Sequence, residues 1–152
     1  MTSHTSLPTH DLVGNEIAYF DYKSLLGNRG QGKLDQKMGI EMVEVSPLKL
    51  VATMPVEGNQ QAVGLLHGGA NVVLAESLGS IGTALFAGLH RRIVGIDINA
   101  THHKAAISGI VTGIATPITL GKTLCSYEIA IFNEAGERTC TSRITCLILA
   151  DR

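Results

Sequence analysis

The stretch GGANVVLAESLGSIGTALFAGL, residues 68–89, decides the fold. It is the one segment that predicts a long helix, and apolar side chains would lie on nearly every face of that helix. A helix that is hydrophobic all round is a buried helix. Small residues at positions 75, 79 and 82 would let another backbone approach closely, and because glycines weaken a helix, this one needs tertiary packing to exist. We therefore predict a buried central helix.

Six segments around this helix predict β-strands. They are residues 40–45 and 49–55 before the helix, and residues 94–101, 109–119, 124–132 and 138–149 after it. Several of them alternate apolar and polar residues with a period of two, and NEAGE predicts a hairpin across Gly136. Short turns join the last three strands, which must therefore be largely antiparallel. The prediction is an α+β fold in which one helix is wrapped by a curved antiparallel sheet, with a short helix within residues 15–26 and loops at 27–32 and 58–64.

Composition excludes several classes of protein. A chain of 152 residues with 45% hydrophobic and 16% charged residues predicts one folded domain. The net charge is −1 and no basic stripe is visible, so we expect no nucleic-acid partner. Polar residues interrupt the apolar helix, and the first residues do not resemble a signal peptide, so we expect no membrane span. The odd number of cysteines, three, all in strand-like segments, favours reduced thiols and a cytoplasmic protein.

The sequence predicts no metal site and no cofactor. It contains no CxxC motif, and His102 and His103 are adjacent, so on a strand they would point to opposite faces and chelate a metal badly.

Glu76 is the one ionisable residue inside the predicted helix. A charged carboxylate in apolar surroundings is expensive, which favours a catalytic base at this position. The alternative is a Glu76 that reaches solvent or pairs with a surface lysine. Ser80 follows one turn later on the same face and could orient Glu76 or a water molecule. A hydrogen bond from Ser80 back to a helix carbonyl is the alternative.

The motif GLLHGGA, residues 64–70, opens the helix. The N–H groups of Gly68 and Gly69 would lack partners within the helix and lie where its dipole favours negative charge. They predict an oxyanion site for a thioester carbonyl, although glycines here could simply allow close packing. Gln61, in the preceding loop, could donate an amide hydrogen bond to the substrate or be solvated.

Spacing along the helix predicts an oligomer. Glu76 lies eight residues after Gly68, which is about 12 Å at 1.5 Å per residue. One thioester carbonyl bound at Gly68 could not be attacked by Glu76 of the same helix. If both residues act on one thioester, they belong to different subunits, and the site lies at a dimer interface.

Basic residues near predicted strand ends are candidates for binding nucleotide phosphates. They are Lys104 and Lys122, with Arg91 and Arg92 as further candidates. Solvated surface positions are the alternative for each of them.

Three stretches together resemble hotdog-fold acyl-CoA thioesterases that act on aromatic acyl groups. They are NQQAVGLLHGGANVVLAESLGS at 59–80, GIDINATHH at 95–103 and TPITLGKT at 116–123, followed by the Gly136 hairpin. The similarity covers roughly residues 36–150, so we divide the chain into an N-terminal extension, 1–35, and a hotdog domain, 36–152. It implies an acyl-CoA substrate such as 1,4-dihydroxy-2-naphthoyl-CoA or a hydroxybenzoyl-CoA, and a possible place in menaquinone biosynthesis.

The resemblance also implies roles for individual residues. Glu76 matches the catalytic carboxylate, acting as nucleophile or general base, and Gly68 matches the amide that polarises the carbonyl. His67 and Gln61 match residues near the thioester, contributed by the subunit opposite Glu76, and Ser80 matches a hydroxyl that positions water. Family members usually pair dimers into homotetramers. Lys104 stands near a position where relatives often have an arginine that contacts the nucleotide.

Two alternatives to a thioesterase stay open at this point. One is a hotdog hydratase or dehydratase acting on acyl-thioesters, and the other is a non-catalytic acyl-CoA-binding module.

Overall fold

The computed structural model describes residues 6–27 and 31–150. The described residues form three helices and six strands in succession. They are α1 Tyr22–Leu26, α2 Lys33–Met38, β1 Glu41–Ser46, β2 Lys49–Pro55, α3 Gly68–Ala87, β3 Ile93–His102, β4 Ile110–Leu120, β5 Leu124–Phe132 and β6 Arg138–Ile148.

The six strands form one sheet in the order β1-β2-β4-β5-β6-β3, and every neighbouring pair is antiparallel. β4, β5 and β6 form the predicted meander, with the hairpin at Gly136. The connection through α3 carries the chain from β2 across the sheet to its far edge, where β3 pairs with β6. The predicted strands and their antiparallel arrangement are confirmed.

α3 contacts all six strands and is the centre of the core. Residues with small side chains let the sheet approach: a Cβ added at Gly79 would lie 2.1 Å from Ile144 Cγ2, and one at Gly82 would lie 2.7 Å from the Tyr127 ring. Sheet side chains, rather than another backbone, therefore fill the space that the glycines leave. The helix ends at Ala87, two residues earlier than predicted, because Gly88 has a φ of 94°.

By length and composition α3 could also cross a membrane, since its mean hydropathy is 1.3 over an 18-residue window. However, 67% of that window is buried within the structure, so α3 is the core helix of the fold.

One stripe of α3 faces away from the sheet. Val73, Ser77 and Ser80 are only partly buried in the single chain, and Glu76 is exposed. The expectation that Glu76 is enclosed by apolar side chains is therefore wrong for one chain, because the sheet covers only one side of the helix. α2 covers part of this stripe through the contact of Asp35 with Ser77, and the rest of the stripe is open in the single chain.

The N-terminal residues pack onto the same core. Ile17, Tyr22 and Leu26 are buried there, and the Leu12 N–H donates to the Phe86 carbonyl at 2.8 Å near the end of α3. The predicted short helix exists only as the five residues of α1, and α2 was not predicted. The predicted loop at 27–32 falls partly outside the described residues, and the division of the chain at residue 35 stays a prediction.

Candidate active site

The start of α3 leaves one amide donor free. His67 caps the helix: its Nδ1 accepts from the Gly69 N–H at 2.8 Å, and its carbonyl accepts from the Ala70 N–H at 2.9 Å. The Gly68 N–H has no hydrogen-bond partner among residues 6–27 and 31–150. Neither glycine N–H bonds within the helix, as predicted, but the His67 side chain occupies the Gly69 N–H, so Gly68 alone keeps a free donor at the helix start.

A cleft of about 390 Å³ opens beside this amide. We call it the Gly68 cleft; its walls include Gln61, Leu65, Gly68, Asn71, His102 and Lys104. Three of the predicted site residues, Gln61, Gly68 and Lys104, thus line the same cleft. His67 is exposed, and its observed role in the single chain is the helix cap.

Asn71 and His102 are the residues of this cleft that sequence reasoning missed. His102 was weighed only as a metal ligand, yet its Nε2 lies 2.8 Å from the place where a Cβ at Gly68 would be. Asn71 Nδ2 approaches His102 Nδ1 at 3.4 Å. These two residues are 31 positions apart, and only the pairing of β3 with β6 brings the end of β3 to the start of α3. The glycine at position 68 was the one sign in the sequence that another side chain packs closely there, because the missing Cβ leaves room for the His102 ring.

Glu76 lies in a second cleft, of about 380 Å³, which we call the Glu76 cleft. Its walls include Leu34, Asp35, Val73, Glu76, Ser80 and Ile81. On another side the carboxylate faces β3, where a Cβ at Gly95 would lie 3.5 Å from Glu76 Oε1. Gly95 therefore leaves space at the carboxylate that a larger residue would take.

Ser80 lies in the Glu76 cleft, as predicted for a neighbour one turn along the helix. Its hydroxyl is 3.9 Å from Cys146 Sγ. The hydrogen bond back to a helix carbonyl is made instead by Thr83, which donates to Gly79 O at 2.9 Å. Ser77 donates to Asp35 Oδ1 at 2.6 Å, so it ties α3 to α2.

The two clefts have no wall residue in common. Gly68 and Glu76 are about 12 Å apart along α3, as the sequence predicted. A single chain therefore presents a hydrogen-bond donor for a developing oxyanion in one cleft and a carboxylate in another.

The two candidate phosphate-binding lysines lie far apart in one chain. Lys104 follows the end of β3, where His102 pairs with Cys140, and it forms an ion pair with Glu137. Lys122 is exposed in the β4–β5 turn, near Leu147 at the other end of β6. In the part of the chain that the structure describes, no three His, Cys, Asp or Glu side chains are grouped so that they could hold a metal ion.

A long helix packed on an antiparallel sheet, with a free amide at its start and a lone carboxylate on its open face, defines the hotdog class of acyl-thioester enzymes. The family model of the thioesterase superfamily matches residues 63–140, and the chain belongs to this family. It is a thioester hydrolase.

Similar proteins agree with this assignment. The chain is 41% identical over 125 residues to 1,4-dihydroxy-2-naphthoyl-CoA hydrolase of Escherichia coli, covering 82% of this chain and 92% of the relative. It is 41% identical over 119 residues to proofreading thioesterase EntH of Cronobacter turicensis, covering 78% and 87%. The crystal structure of a mutant of thioesterase PA1618 from Pseudomonas aeruginosa matches with a TM-score of 0.77 and 34% identity, covering 86% and 95%. The crystal structure of thioesterase HI1161 from Haemophilus influenzae matches with a TM-score of 0.74 and 36% identity, covering 84% of this chain and 87% of that one.

Proposed function

We propose that this thioesterase hydrolyses an aromatic acyl-CoA and that Glu76 carries the reaction. The observation that supports Glu76 most directly is its position as the one carboxylate on the open face of α3, in a cleft that both apolar and polar side chains line. The relative named 1,4-dihydroxy-2-naphthoyl-CoA hydrolase supports an acyl-CoA with a ring-bearing acyl group, and the proofreading thioesterase supports hydrolysis of a thioester. Val73 and Ile81 offer apolar surface to such a group.

In the proposed reaction, the Gly68 N–H donates a hydrogen bond to the thioester carbonyl oxygen and stabilises the negative charge that develops there. Glu76 either attacks the carbonyl carbon, forming an anhydride that water then hydrolyses, or takes a proton from a water that attacks the same carbon. Both routes break the C–S bond, release CoA as a thiol and leave the free acid. Ser80 is placed to orient the carboxylate or the water.

The separation of the two clefts supports a site shared between two copies of the chain. One thioester cannot meet Gly68 and Glu76 of a single α3 about 12 Å apart. In a two-fold dimer, the Gly68 cleft of one subunit would face the Glu76 cleft of the other, and the open stripe of α3 would be covered. We propose such a homodimer, paired further into a homotetramer, with His67 and Gln61 opposite Glu76.

Lys104 is our candidate residue for binding a CoA phosphate, because it lies at the Gly68 cleft. Lys122 could take part only if another subunit brings the β4–β5 turn to the same nucleotide. We place the protein in the cytoplasm, a reducing compartment that suits its three buried free thiols.

Thiol release from a panel of acyl-CoAs tests the substrate class. The panel should contain 1,4-dihydroxy-2-naphthoyl-, 4-hydroxybenzoyl-, acetyl- and palmitoyl-CoA. We expect kcat/KM to be highest for the two aromatic esters. A clear preference for palmitoyl-CoA, or no hydrolysis of any ester, would contradict the proposal.

The variant Glu76→Gln tests the role of the carboxylate. Loss of a positioned base lowers kcat by about 10²–10⁴-fold, and loss of a nucleophile lowers it further, whereas KM should change less. The matched control is Glu44→Gln, which removes an exposed carboxylate paired with Lys49 on β1, away from both clefts. A folded Glu76→Gln protein with normal kcat would remove Glu76 from the mechanism.

A further inference from the structure

A buried amide in the Gly68 cleft lacks part of its hydrogen bonding. Asn71 is only 5% exposed and lies three residues after Gly68 on α3. Its Oδ1 is buried and has no partner among the described residues. A buried polar atom without a partner is costly, and such atoms concentrate where a protein has a use for the group. Neither the thioesterase chemistry derived above nor the packing of α3 requires an asparagine here.

The partner that Asn71 does have is His102. Its Nδ2 lies 3.4 Å from His102 Nδ1. The ring of His102 rests against Gly68, with Nε2 2.8 Å from the position of a Cβ at that residue. Asn71 thus lies at the Nδ1 side of the imidazole, and Nε2 lies against Gly68, the residue whose amide is free. His102 is exposed at the end of β3, and its ring contacts both of these residues of α3.

The tautomer of the ring depends on which group donates in this contact. If the amide NH₂ group of Asn71 is the donor, His102 Nδ1 accepts and carries no proton. The neutral imidazole then holds its proton on Nε2. His102 and Gly68 line the same cleft, so this N–H would give the Gly68 cleft a second hydrogen-bond donor.

We propose that Asn71 is a positioning residue that holds His102 in its Nε2–H tautomer, so that this N–H donates to a carbonyl oxygen of the bound acyl-CoA. The proposal rests on the proposed function and deepens it by adding a second donor to the Gly68 site. The acceptor is either the thioester oxygen or an amide oxygen of the pantetheine arm, and kinetics separate the two. Loss of a hydrogen bond to the thioester oxygen lowers kcat, whereas loss of a hydrogen bond to the pantetheine arm raises KM.

The first test reads the tautomer directly. Long-range ¹H–¹⁵N spectra of the ¹⁵N-labelled free protein at alkaline pH distinguish Nε2–H from Nδ1–H rings, and His102→Gln assigns the signal among the six histidines. We expect Nε2–H in the wild type, a mixture of tautomers in Asn71→Leu, and Nδ1–H in Asn71→Asp, because a carboxylate only accepts. A wild-type His102 with the proton on Nδ1, or no change in Asn71→Leu, would overturn the proposal.

The second test is a double-mutant cycle on the hydrolysis of the best acyl-CoA. Loss of an oxyanion donor typically lowers kcat by about 10²–10³-fold, which we expect of His102→Ala if the thioester is its acceptor. Loss of a group that orients a functional histidine costs about 10–100-fold in metal sites, and we expect the lower end for Asn71→Leu. Because Asn71 acts through His102, adding Asn71→Leu to His102→Ala should cause no further loss. Independent, multiplying losses, or an Asn71→Leu enzyme with normal kcat and KM, would refute the proposed role.

Thr83→Val is the matched control. It removes a fully buried hydroxyl of the same helix that bonds to Gly79 O, outside both clefts. It should leave the His102 signal, kcat and KM unchanged, and thermal unfolding checks that each variant is folded. Failure of the proposed function can be told apart from failure of this inference. The first would appear as a wild-type protein that hydrolyses no acyl-CoA, whereas the tautomer of His102 is measured without substrate.

Discussion

Gly79 shows how a single missing methyl group sets the distance between helix and sheet. Its would-be Cβ overlaps Ile144 Cγ2, so Gly79→Ala must push α3 away from β6. Alanine improves helix propensity by about 1 kcal/mol, whereas overpacking a core costs typically about 1–3 kcal/mol. Because the overlap is severe, we expect a net loss of about 2 kcal/mol in the free energy of unfolding. Urea denaturation at fixed protomer concentration measures it.

The Ile144→Ala background serves as the control for that prediction. It removes the methyl group that the new Cβ meets, so Gly79→Ala should be less destabilising there than in the wild type. A Gly79→Ala protein more stable than the wild type would show that α3 can move away freely.

The three cysteines are predicted to be unreactive in the folded protein. All are free and buried, and burial raises the pKa of the Cys125 thiol to about 11. Burial also raises the pKa values of Cys140 and Cys146. Because the thiolate is the nucleophile, Ellman's reagent at pH 8 should modify none of them in native protein and all three in urea. Rapid labelling of the native protein would mean that the sheet opens at β5 and β6.

At the scale of the element, a hydrogen bond from Ser77 to Asp35 ties α2 to α3. Asp35 is buried and accepts from Ser77 Oγ at 2.6 Å, and Leu34 beside it lies in the Glu76 cleft. Ser77→Ala would leave a buried carboxylate without this donor, which costs about 1–3 kcal/mol of stability. Because α2 forms a wall of the cleft, we also expect KM to rise.

Ser24→Ala is the comparison for that experiment. Ser24 donates to Asp21 at the same distance, 2.6 Å, but the pair is exposed. Its removal should change stability by less than about 0.5 kcal/mol. Equal effects of the two substitutions would show that burial of Asp35 is unimportant.

The N-terminal segment is predicted to loosen in acid. Burial raises the pKa of Asp11, but hydrogen bonds from Tyr22, Asn15 and the Val13 N–H outweigh it and hold this pKa below its ordinary value of 3.8. A lowered folded pKa gives stability that is complete above the ordinary value and is lost as pH falls through the folded value. The difference in melting temperature between wild type and Asp11→Asn should therefore be constant from pH 7 to 5 and shrink below about pH 4. A constant difference down to pH 2 would contradict it.

The sequence predicted the elements whose patterns are local. α3 and the six strands follow from residues close together in the chain, and so does the spacing of Gly68 and Glu76. The sequence did not predict α2, because KLDQKM is short, has only Leu34 and Met38 as apolar residues, and is tied to α3 by a contact between Asp35 and Ser77, 42 residues apart. The sequence left open whether Glu76 is enclosed or reaches solvent, because periodicity shows which faces of α3 are apolar and not which of them the sheet covers.

At the scale of the whole molecule, a shared site predicts complementation between inactive variants. Glu76→Gln lacks the carboxylate, and Gly68→Val places a branched side chain against His102 at the other cleft. Each homo-oligomer should be weak. Random pairing of equal amounts makes about half the dimers mixed, each with one intact site of two, so activity should approach about a quarter of wild type.

Subunit exchange in this mixture must be shown independently, for example by mass-tagging one variant. Fully exchanged oligomers whose rate is only the average of the two inactive parents would exclude a site shared between subunits.

The position of β6 inside the sheet has a consequence for how the chain is made. β6 is the last of the six strands to be synthesised. β3 lies at the edge of the sheet, and β6 is the one strand with which it pairs. β3 must therefore leave the ribosome and wait, with Val94 and Ile96 exposed, until residues 138–148 follow. At about 5–20 residues per second this wait lasts some seconds, and the exposed strand is then open to pairing with other nascent chains. Synonymous codons that slow translation between β3 and β6 would lengthen that period, so the speed of elongation there affects the yield of soluble protein.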